Sequence, residues 1–137
     1  MTPDQNPCDL PLRSKLRLFM NESEKIELAK AYVALSNAHR LEFILHMFAD
    51  KAVYRSSYVG EFKGRNAIGE MMADFFSRFP DVRWSVQEYR YTGKGIVGFE
   101  FVMTATEAST GNQIERQGLE EIEFTDEGLI SRLNVKT

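Results

Sequence analysis

The feature that most constrains the fold is a pair of long alternating runs in the C-terminal half of the chain. The first run covers residues 96–107 (IVGFEFVMTATE) and the second covers residues 114–124 (IERQGLEEIEF). Residues 108–113 (ASTGNQ) join them. β-Branched and aromatic residues favour strands, whereas Ser, Thr, Gly and Asn favour turns. The stretch from residue 96 to 124 therefore predicts a long antiparallel hairpin.

Alternation also assigns the side chains of this hairpin to faces. Successive side chains of a strand point to opposite faces, so Phe99, Phe101 and Met103 share one face of the first strand. In the second strand Glu120 shares a face with Ile122. A carboxylate in register with apolar residues is the most unusual chemical feature of the hairpin.

Helical spacing predicts three helices ahead of the main strands. The predicted helices cover residues 21–37, about 39–48 and about 65–78. A short strand over residues 52–57 and a turn-rich connection, VGEFKG, separate the last two helices, and further strands cover 82–91 and 129–136. This order predicts the α+β class, with three N-terminal helices packed in a strongly curved antiparallel sheet. The open end of such a cone is where we expect a ligand.

The first residues differ from the rest in composition. Pro3, Pro7 and Pro11 are too dense for a helix interior or a central strand. We predict a flexible N-terminal extension over residues 1–20 and a single domain over residues 21–137. The alternative is an arm whose leucines and Phe19 pack on a partner subunit.

Composition argues against several classes of protein. A net charge of −3 and a pI near 5.5 argue against a nucleic-acid surface. Cys8 is the only cysteine, which excludes an intrachain disulfide and a thiolate-rich metal cluster. No apolar run reaches the length of a membrane span. No secretory signal is visible, so the expected location is cytoplasmic.

Several short motifs follow one another in a definite order. They are Phe48-Ala49-Asp50 with Val53-Tyr54, Gly64-Arg65 with Ala67-Ile68, Phe79-Pro80-Asp81, Gly118 with Glu120, and Gly128 with Ile130. In this order and spacing the chain resembles the nuclear transport factor 2-like superfamily, and within it the SnoaL-like branch related to ketosteroid isomerases. The resemblance covers roughly residues 22–135.

The resemblance implies a cone-like, cystatin-like α+β barrel around a hydrophobic pocket, and commonly a homodimer through the sheet. Enzymes of the family include isomerases, polyketide cyclases, dehydratases and epoxide hydrolases, and many relatives are binding modules. The steroid isomerases carry their catalytic carboxylate in the short strand after the second helix, where this chain has Arg55 and Ser56. The acidic residue at the SnoaL-like position is Glu120.

Glu120 is the candidate catalytic residue. If its face lines the cone, loss of hydration would raise its pKa and suit it to proton transfer. The alternative is a structural carboxylate satisfied by Arg116, Arg132 or a tyrosine hydroxyl. Because Arg116 lies four residues away on the same strand, or about 13 Å at 3.3 Å per residue, a direct partner is expected from another strand. The candidate ligand-binding residues are Tyr54, Tyr58, Phe76, Trp84, Phe99, Phe101, Met103 and Ile122.

No metal or cofactor is expected. His39 and His46 lie in the second predicted helix without an evident third ligand, and surface positions are expected for both. The function predicted is a SnoaL-like pocket protein, with cofactor-independent acid–base chemistry of the isomerase, cyclase or lyase type on a small apolar ring compound. The alternatives are a non-catalytic ligand-binding protein and a dimerisation module. A homodimer is expected through the outer hairpin face that carries Val102, Thr104 and Thr106.

Overall fold

The computed structural model describes residues 20–137. The helices are α1 (Glu22–Asn37), α2 (Leu41–His46) and α3 (Arg65–Arg78). The strands are β1 (Phe48–Ser56), β2 (Gly60–Lys63), β3 (Arg83–Val86), β4 (Arg90–Gly93), β5 (Ile96–Thr106), β6 (Gln113–Phe124) and β7 (Ile130–Lys136). The extension predicted over residues 1–20 lies, apart from its last residue, outside the described residues.

The strands form one seven-stranded sheet in the order β2-β1-β7-β6-β5-β3, and β4 also pairs with β5. The sheet curls around the helices without closing, so the predicted α+β class and the curved sheet are confirmed. The β1–β7 pair is parallel, whereas the other pairs are antiparallel. The expectation of a wholly antiparallel sheet is therefore wrong at this pair.

Helix α1 begins where its sequence predicts. The Asn21 side chain accepts a hydrogen bond from the Glu24 amide at 2.8 Å, and the Glu24 carboxylate accepts one from the Asn21 amide at 3.0 Å. This reciprocal capping box satisfies two amides that a helix start otherwise leaves unpaired. Helix α3 also has its predicted bounds, and Arg65 at its start donates to the Phe48 carbonyl at 3.0 Å.

The core lies between the helices and the concave face of the sheet. The predicted hairpin is confirmed, with Phe99 opposite Glu120 and Phe101 opposite Gly118. Phe99, Phe101 and Met103 are buried, while Glu100 between them is exposed. This alternation fixes which face of β5 and β6 contacts the helices.

The second helix is shorter than predicted. It ends at His46, and Phe48 begins β1, so Asp50 and Lys51 lie in a strand. Phe48 pairs with Ile130 of β7 and is fully buried. Long-range strand pairing thus overrides the helical spacing of the local sequence.

Two other predicted boundaries are corrected. Residues 60–63 of the turn-rich connection form β2, which pairs with β1. The strand predicted over residues 82–91 is divided into β3 and β4, and both pair with β5. The four-stranded meander predicted for the C-terminal half is thus part of a larger sheet. No helix within residues 20–137 combines the length and the apolar character that crossing a membrane requires.

Candidate active site

A cavity lies between the concave face of the sheet and helices α1 and α3. It offers about 60 Å³ to the centres of water-sized molecules. Its wall is mainly aromatic and aliphatic, and its polar lining residues are Ser36, Ser56, Arg116 and Glu120 together with three tyrosines.

The structure brings most of the predicted site residues together around this cavity. Those that line it are Tyr54, Tyr58, Phe76, Trp84, Phe99, Phe101, Met103 and Glu120. Ile122 does not line it. Although Ile122 shares a face with Glu120, it is fully buried between Val97 and Leu133 of the neighbouring strands. Its predicted place on the ligand wall is therefore corrected to the packed core.

Phe76 is the one helical residue among the candidate ligand-binding residues, so the rest of the helical side of the wall was not predicted from the sequence. Tyr32, Val33 and Ser36 of α1 line the cavity, and so do Met71, Met72, Phe75 and Phe76 of α3. The Tyr32 and Ser36 pair is four residues apart, which is a signal for one helix face. Arg116 also lines the cavity, but the sequence alone suggested it only as a partner for Glu120.

Glu120 lies in the middle of β6, opposite Phe99 of β5 and Val135 of β7. Its side chain is almost wholly buried, with 5% of the residue exposed. Within residues 20–137 no cation or hydrogen-bond donor contacts its carboxyl group. Arg132 lies 3.5 Å from the Glu123 carboxylate, and Arg116 stacks on an aromatic ring, so neither arginine pairs with Glu120.

Burial raises the pKa of Glu120 to about 8. Removal from water disfavours the charged carboxylate, and no contact from the described residues compensates for this loss of hydration. With that pKa, only about one molecule in ten carries the charge at neutral pH. Glu120 is thus a neutral acid that can become a comparatively strong carboxylate base.

Three tyrosines, Tyr32, Tyr54 and Tyr89, lie close enough to Glu120 for a negative charge there to raise their pKa values. Burial raises the pKa of Tyr54 far above its usual value, and a negative charge on Glu120 raises it further. Burial likewise raises the pKa of Tyr32, with smaller contributions from Tyr54 and then Glu120. Both hydroxyls therefore stay protonated, and Tyr54 also lines the cavity as a hydrogen-bond donor.

Aromatic stacking fixes the wall opposite the acid. The rings of Phe75 and Trp84 are stacked with centroids 6.1 Å apart, and Phe76 meets Trp84 edge to face at 6.4 Å. His39 stacks on Phe76 at 4.7 Å, and its Nε2 lies 2.9 Å from the Val82 carbonyl oxygen. His39 is thus partly buried behind the wall, which corrects the predicted surface position.

Gly118 leaves room for the Phe101 ring, which forms the floor of the cavity. A Cβ at this position would lie 2.9 Å from Cζ of Phe101 and 2.6 Å from the carbonyl oxygen of Lys136. Only glycine leaves room for the Phe101 ring to lie across β6. Phe101 pairs with Gly118, so its ring lies between the positions of Arg116 and Glu120 along β6.

Arg116 stands at the exposed side of the cavity. Its guanidinium carbon lies 4.7 Å from the ring centroid of Tyr58 and 5.7 Å from that of Phe79. The Tyr58 hydroxyl donates to the Gln117 carbonyl at 2.7 Å, which holds its ring in place. No group of three His, Cys, Asp or Glu residues in the described part of the chain could hold a metal ion.

The sequence of this chain matches a known protein family. A family model described as the SnoaL-like domain matches residues 29–133. No curated protein matches the sequence significantly.

Solved structures share the fold at low sequence identity. AclR from Streptomyces galilaeus, a proposed hydroxylase, is 21% identical over 84% of this chain and 89% of its own, with a TM-score of 0.72. A proposed isomerase from Bacillus subtilis is 22% identical over 85% and 88%, with a TM-score of 0.73. A Catenulispora acidiphila protein with a ketosteroid isomerase-like fold, in complex with trimethylamine, is 16% identical over 81% and 85%, with a TM-score of 0.72.

Proposed function

The chain belongs to the SnoaL-like domain family, and from that premise we propose that it is a small-molecule pocket protein with cofactor-independent acid–base activity. The reaction would be of the isomerase, cyclase or lyase type. One observation carries the proposal, which is a buried carboxylic acid on the wall of an aromatic cavity, with no charged partner among residues 20–137. The substrate would be a small, largely apolar ring compound.

The acidity of Glu120 supports proton transfer. A general acid or base works best when its pKa lies close to the working pH. The pKa of about 8 meets this condition, whereas a solvated glutamate would be almost wholly ionised. Perturbed carboxyl groups in cavities are candidates for function for this reason.

In the proposed reaction Glu120 transfers the proton and Tyr54 stabilises the developing charge. In the proposed step, the Glu120 carboxylate takes a proton from the carbon next to a substrate carbonyl. The electron pair of that C–H bond forms a C=C bond to the carbonyl carbon, and the π pair of the C=O bond moves onto the oxygen. The neutral Tyr54 hydroxyl donates a hydrogen bond to this oxygen as its negative charge develops. Glu120 then returns the proton to carbon, so no external oxidant or cofactor is consumed.

The aromatic and thioether side chains of the cavity wall favour an apolar ring compound as the substrate. The stacked rings of Phe75 and Trp84 present flat surfaces, and the thioethers of Met71 and Met72 adapt to irregular shapes. Two structural neighbours are themselves proposed to be a hydroxylase and an isomerase. At 21% and 22% identity they support the fold, and the chemistry rests on Glu120 and Tyr54.

The test is deuterium exchange into 1-tetralone, a small cyclic ketone, in heavy water and followed by mass spectrometry. We expect the protein to accelerate exchange at the carbon next to the carbonyl. Glu120→Gln should lower that rate by about 100-fold or more while 1-tetralone still binds. Glu100→Gln is the matched control. Glu100 follows Phe99, the residue opposite Glu120, and its side chain points to the other, exposed face of the sheet.

Binding of 1-tetralone without any exchange would contradict the enzymatic proposal. It would favour the second candidate, a non-catalytic ligand-binding module. The observation that favours this candidate is the mainly aromatic and aliphatic wall of the cavity, which would hold a ligand by apolar contacts without turnover. A rate unaffected by Glu120→Gln would equally overturn the role of Glu120.

A further inference from the structure

Arg116 is a cation on the cavity wall that the proposed reaction leaves unused. It is half-buried and lies over the face of the Tyr58 ring. Stacking on an aromatic ring occupies the flat face of a guanidinium and leaves its N–H edge available for a planar, charged acceptor. A carboxylate or a similar oxyanion is the acceptor whose geometry matches that edge.

The described part of the chain provides no such acceptor. Among residues 20–137, no carboxylate lies within 4.0 Å of the Arg116 guanidinium, although other arginines there have partners. The nearby Glu107 lies 3.9 Å from Arg78. Glu120 shares the strand and the face of Arg116, but four residues separate them, or about 13 Å at 3.3 Å per residue.

Apolar side chains line the part of the cavity between Arg116 and Glu120. Because Gly118 has no side chain, the Phe101 ring lies across β6 between Arg116 and Glu120. Phe75, Phe76 and Trp84 face this floor from the other side of the cavity. The wall therefore offers a cation at the exposed end, a neutral acid at the buried end and an aromatic slot between them.

We propose that the ligand of this cavity is a small amphipathic acid whose anionic group binds Arg116 while its apolar ring reaches toward Glu120. This inference rests on the proposed function and specifies its substrate class. A carboxylate at Arg116 would fix the orientation of the molecule, because its ring end must then enter the slot first. Arg116 would thus determine specificity, and Glu120 would act on the distal part of the ligand.

Binding of 4-phenylbutyrate and its neutral analogue 4-phenylbutyramide tests the proposal. Trp84 is the only tryptophan and lines the cavity, so quenching of its fluorescence reports occupancy. At about pH 6 Glu120 is protonated and does not repel the acid. We expect the carboxylate to bind about tenfold more tightly than the amide, the effect of one charge-assisted hydrogen-bonded contact.

Substitution of Arg116 separates the affinity due to its contact with the carboxylate from the affinity due to burial of the apolar ring. Arg116→Gln should remove the preference by weakening 4-phenylbutyrate about tenfold and leaving 4-phenylbutyramide unchanged. Arg116→Lys keeps the charge and should retain part of the preference. Arg132→Gln is the matched control, because it removes the same charge from the outer face of the sheet, where Arg132 lies beside Glu123. It should leave both affinities unchanged.

The outcomes distinguish the two proposals. Equal affinities for the acid and the amide in the unmodified protein would overturn the inference about Arg116 and leave the proposed function standing. A preference that survives Arg116→Gln would overturn it as well. Failure of both compounds to bind would overturn this inference, whereas the proposed function is decided separately by the exchange of 1-tetralone. A thermal melt of each variant shows whether it is folded.

Discussion

The side chain of Asn37 forms two hydrogen bonds with the main chain of Trp84. Its Oδ1 accepts from the Trp84 amide at 2.7 Å, and its Nδ2 donates to the Trp84 carbonyl at 2.9 Å. Among residues 20–137, strand β3 has a strand neighbour on one side only, and Asn37 at the end of α1 occupies part of its other edge. The helix thus fixes the main chain of the residue whose ring forms the cavity wall.

Asn37→Ala should lower the free energy of unfolding by about 1–3 kcal/mol, because it leaves two partly buried main-chain groups without their partners. Urea denaturation measures this loss. The fluorescence maximum of Trp84 should also shift as its position loosens. Asn112→Ala, in an exposed turn, is the control and should change neither quantity. An unaltered stability in Asn37→Ala would contradict the importance of this contact.

Gly118→Ala should destabilise the protein by about 1–3 kcal/mol, the usual cost of overpacking. The added methyl group would meet a main-chain carbonyl at 2.6 Å and the Phe101 ring at 2.9 Å. Gly98→Ala is the matched control in the adjacent strand, since its nearest neighbour would be a Thr92 methyl group at an ordinary 3.6 Å. Denaturation midpoints of the two variants provide the comparison. Equal midpoints would show that the sheet adjusts freely at Gly118.

Glu120→Gln should stabilise the protein increasingly as the pH rises. The pKa of Glu120 is raised to about 8 in the folded protein, so between about pH 4.5 and 8 the folded state binds more protons than the unfolded state. Stability from this group is complete below that window and is lost as the pH rises through it. The slope is at most about 1.4 kcal/mol per pH unit. Glutamine does not titrate, so its advantage should grow across the window in urea denaturation series.

A difference between Glu120→Gln and the unmodified protein that stays constant with pH would show that the pKa of Glu120 is not raised. Glu100→Gln serves as the control, because Glu100 is exposed on the opposite face of the sheet. Its effect on stability should be small at every pH.

A homodimer through the outer face of β5 and β6 remains a prediction. Val102 is 37% exposed on that face, beside the exposed Thr104. Sedimentation equilibrium should show a dimer at about tens of micromolar if the interface has standard size. Val102→Glu should produce monomers, whereas Leu129→Glu, an equally exposed residue in the turn before β7, should not. A monomeric unmodified protein would exclude this interface.

The parts of the fold that depend on local sequence could be predicted. The hairpin is specified by alternation and a turn of consecutive residues, and α3 lies between Gly64 and Pro80, both of which favour helix boundaries. The same alternation predicts that Glu120 shares a face with Ile122, and the structure shows that this face is the concave one. The boundary between α2 and β1 could not be predicted, because it depends on the pairing of Phe48 with Ile130 in a distant strand.

The candidate site was predicted in part for a related reason. Alternation identifies the face of a strand, but not which positions along that face the helices cover. Glu120 and Ile122 share a face, yet one lines the cavity and the other is packed in the core. Strand spacing alone puts Arg116 about 13 Å from Glu120. That no carboxylate of residues 20–137 lies within 4.0 Å of the Arg116 guanidinium is a property of the three-dimensional arrangement.

The parallel pairing of β1 with β7 also has a consequence for how the cavity forms during folding. The Ser57 hydroxyl donates to the Val135 carbonyl across a separation of 78 residues, whereas β5 and β6 are joined by a short turn. Contacts between distant residues require a long loop to close, so they tend to slow folding. We therefore expect the hairpin that carries Glu120 to form early and the strand that carries Tyr54 to join it late. Pulse-labelled hydrogen exchange would then show protection in β5 and β6 before β1, and the acid and its hydroxyl neighbour would meet only in the last stage of folding.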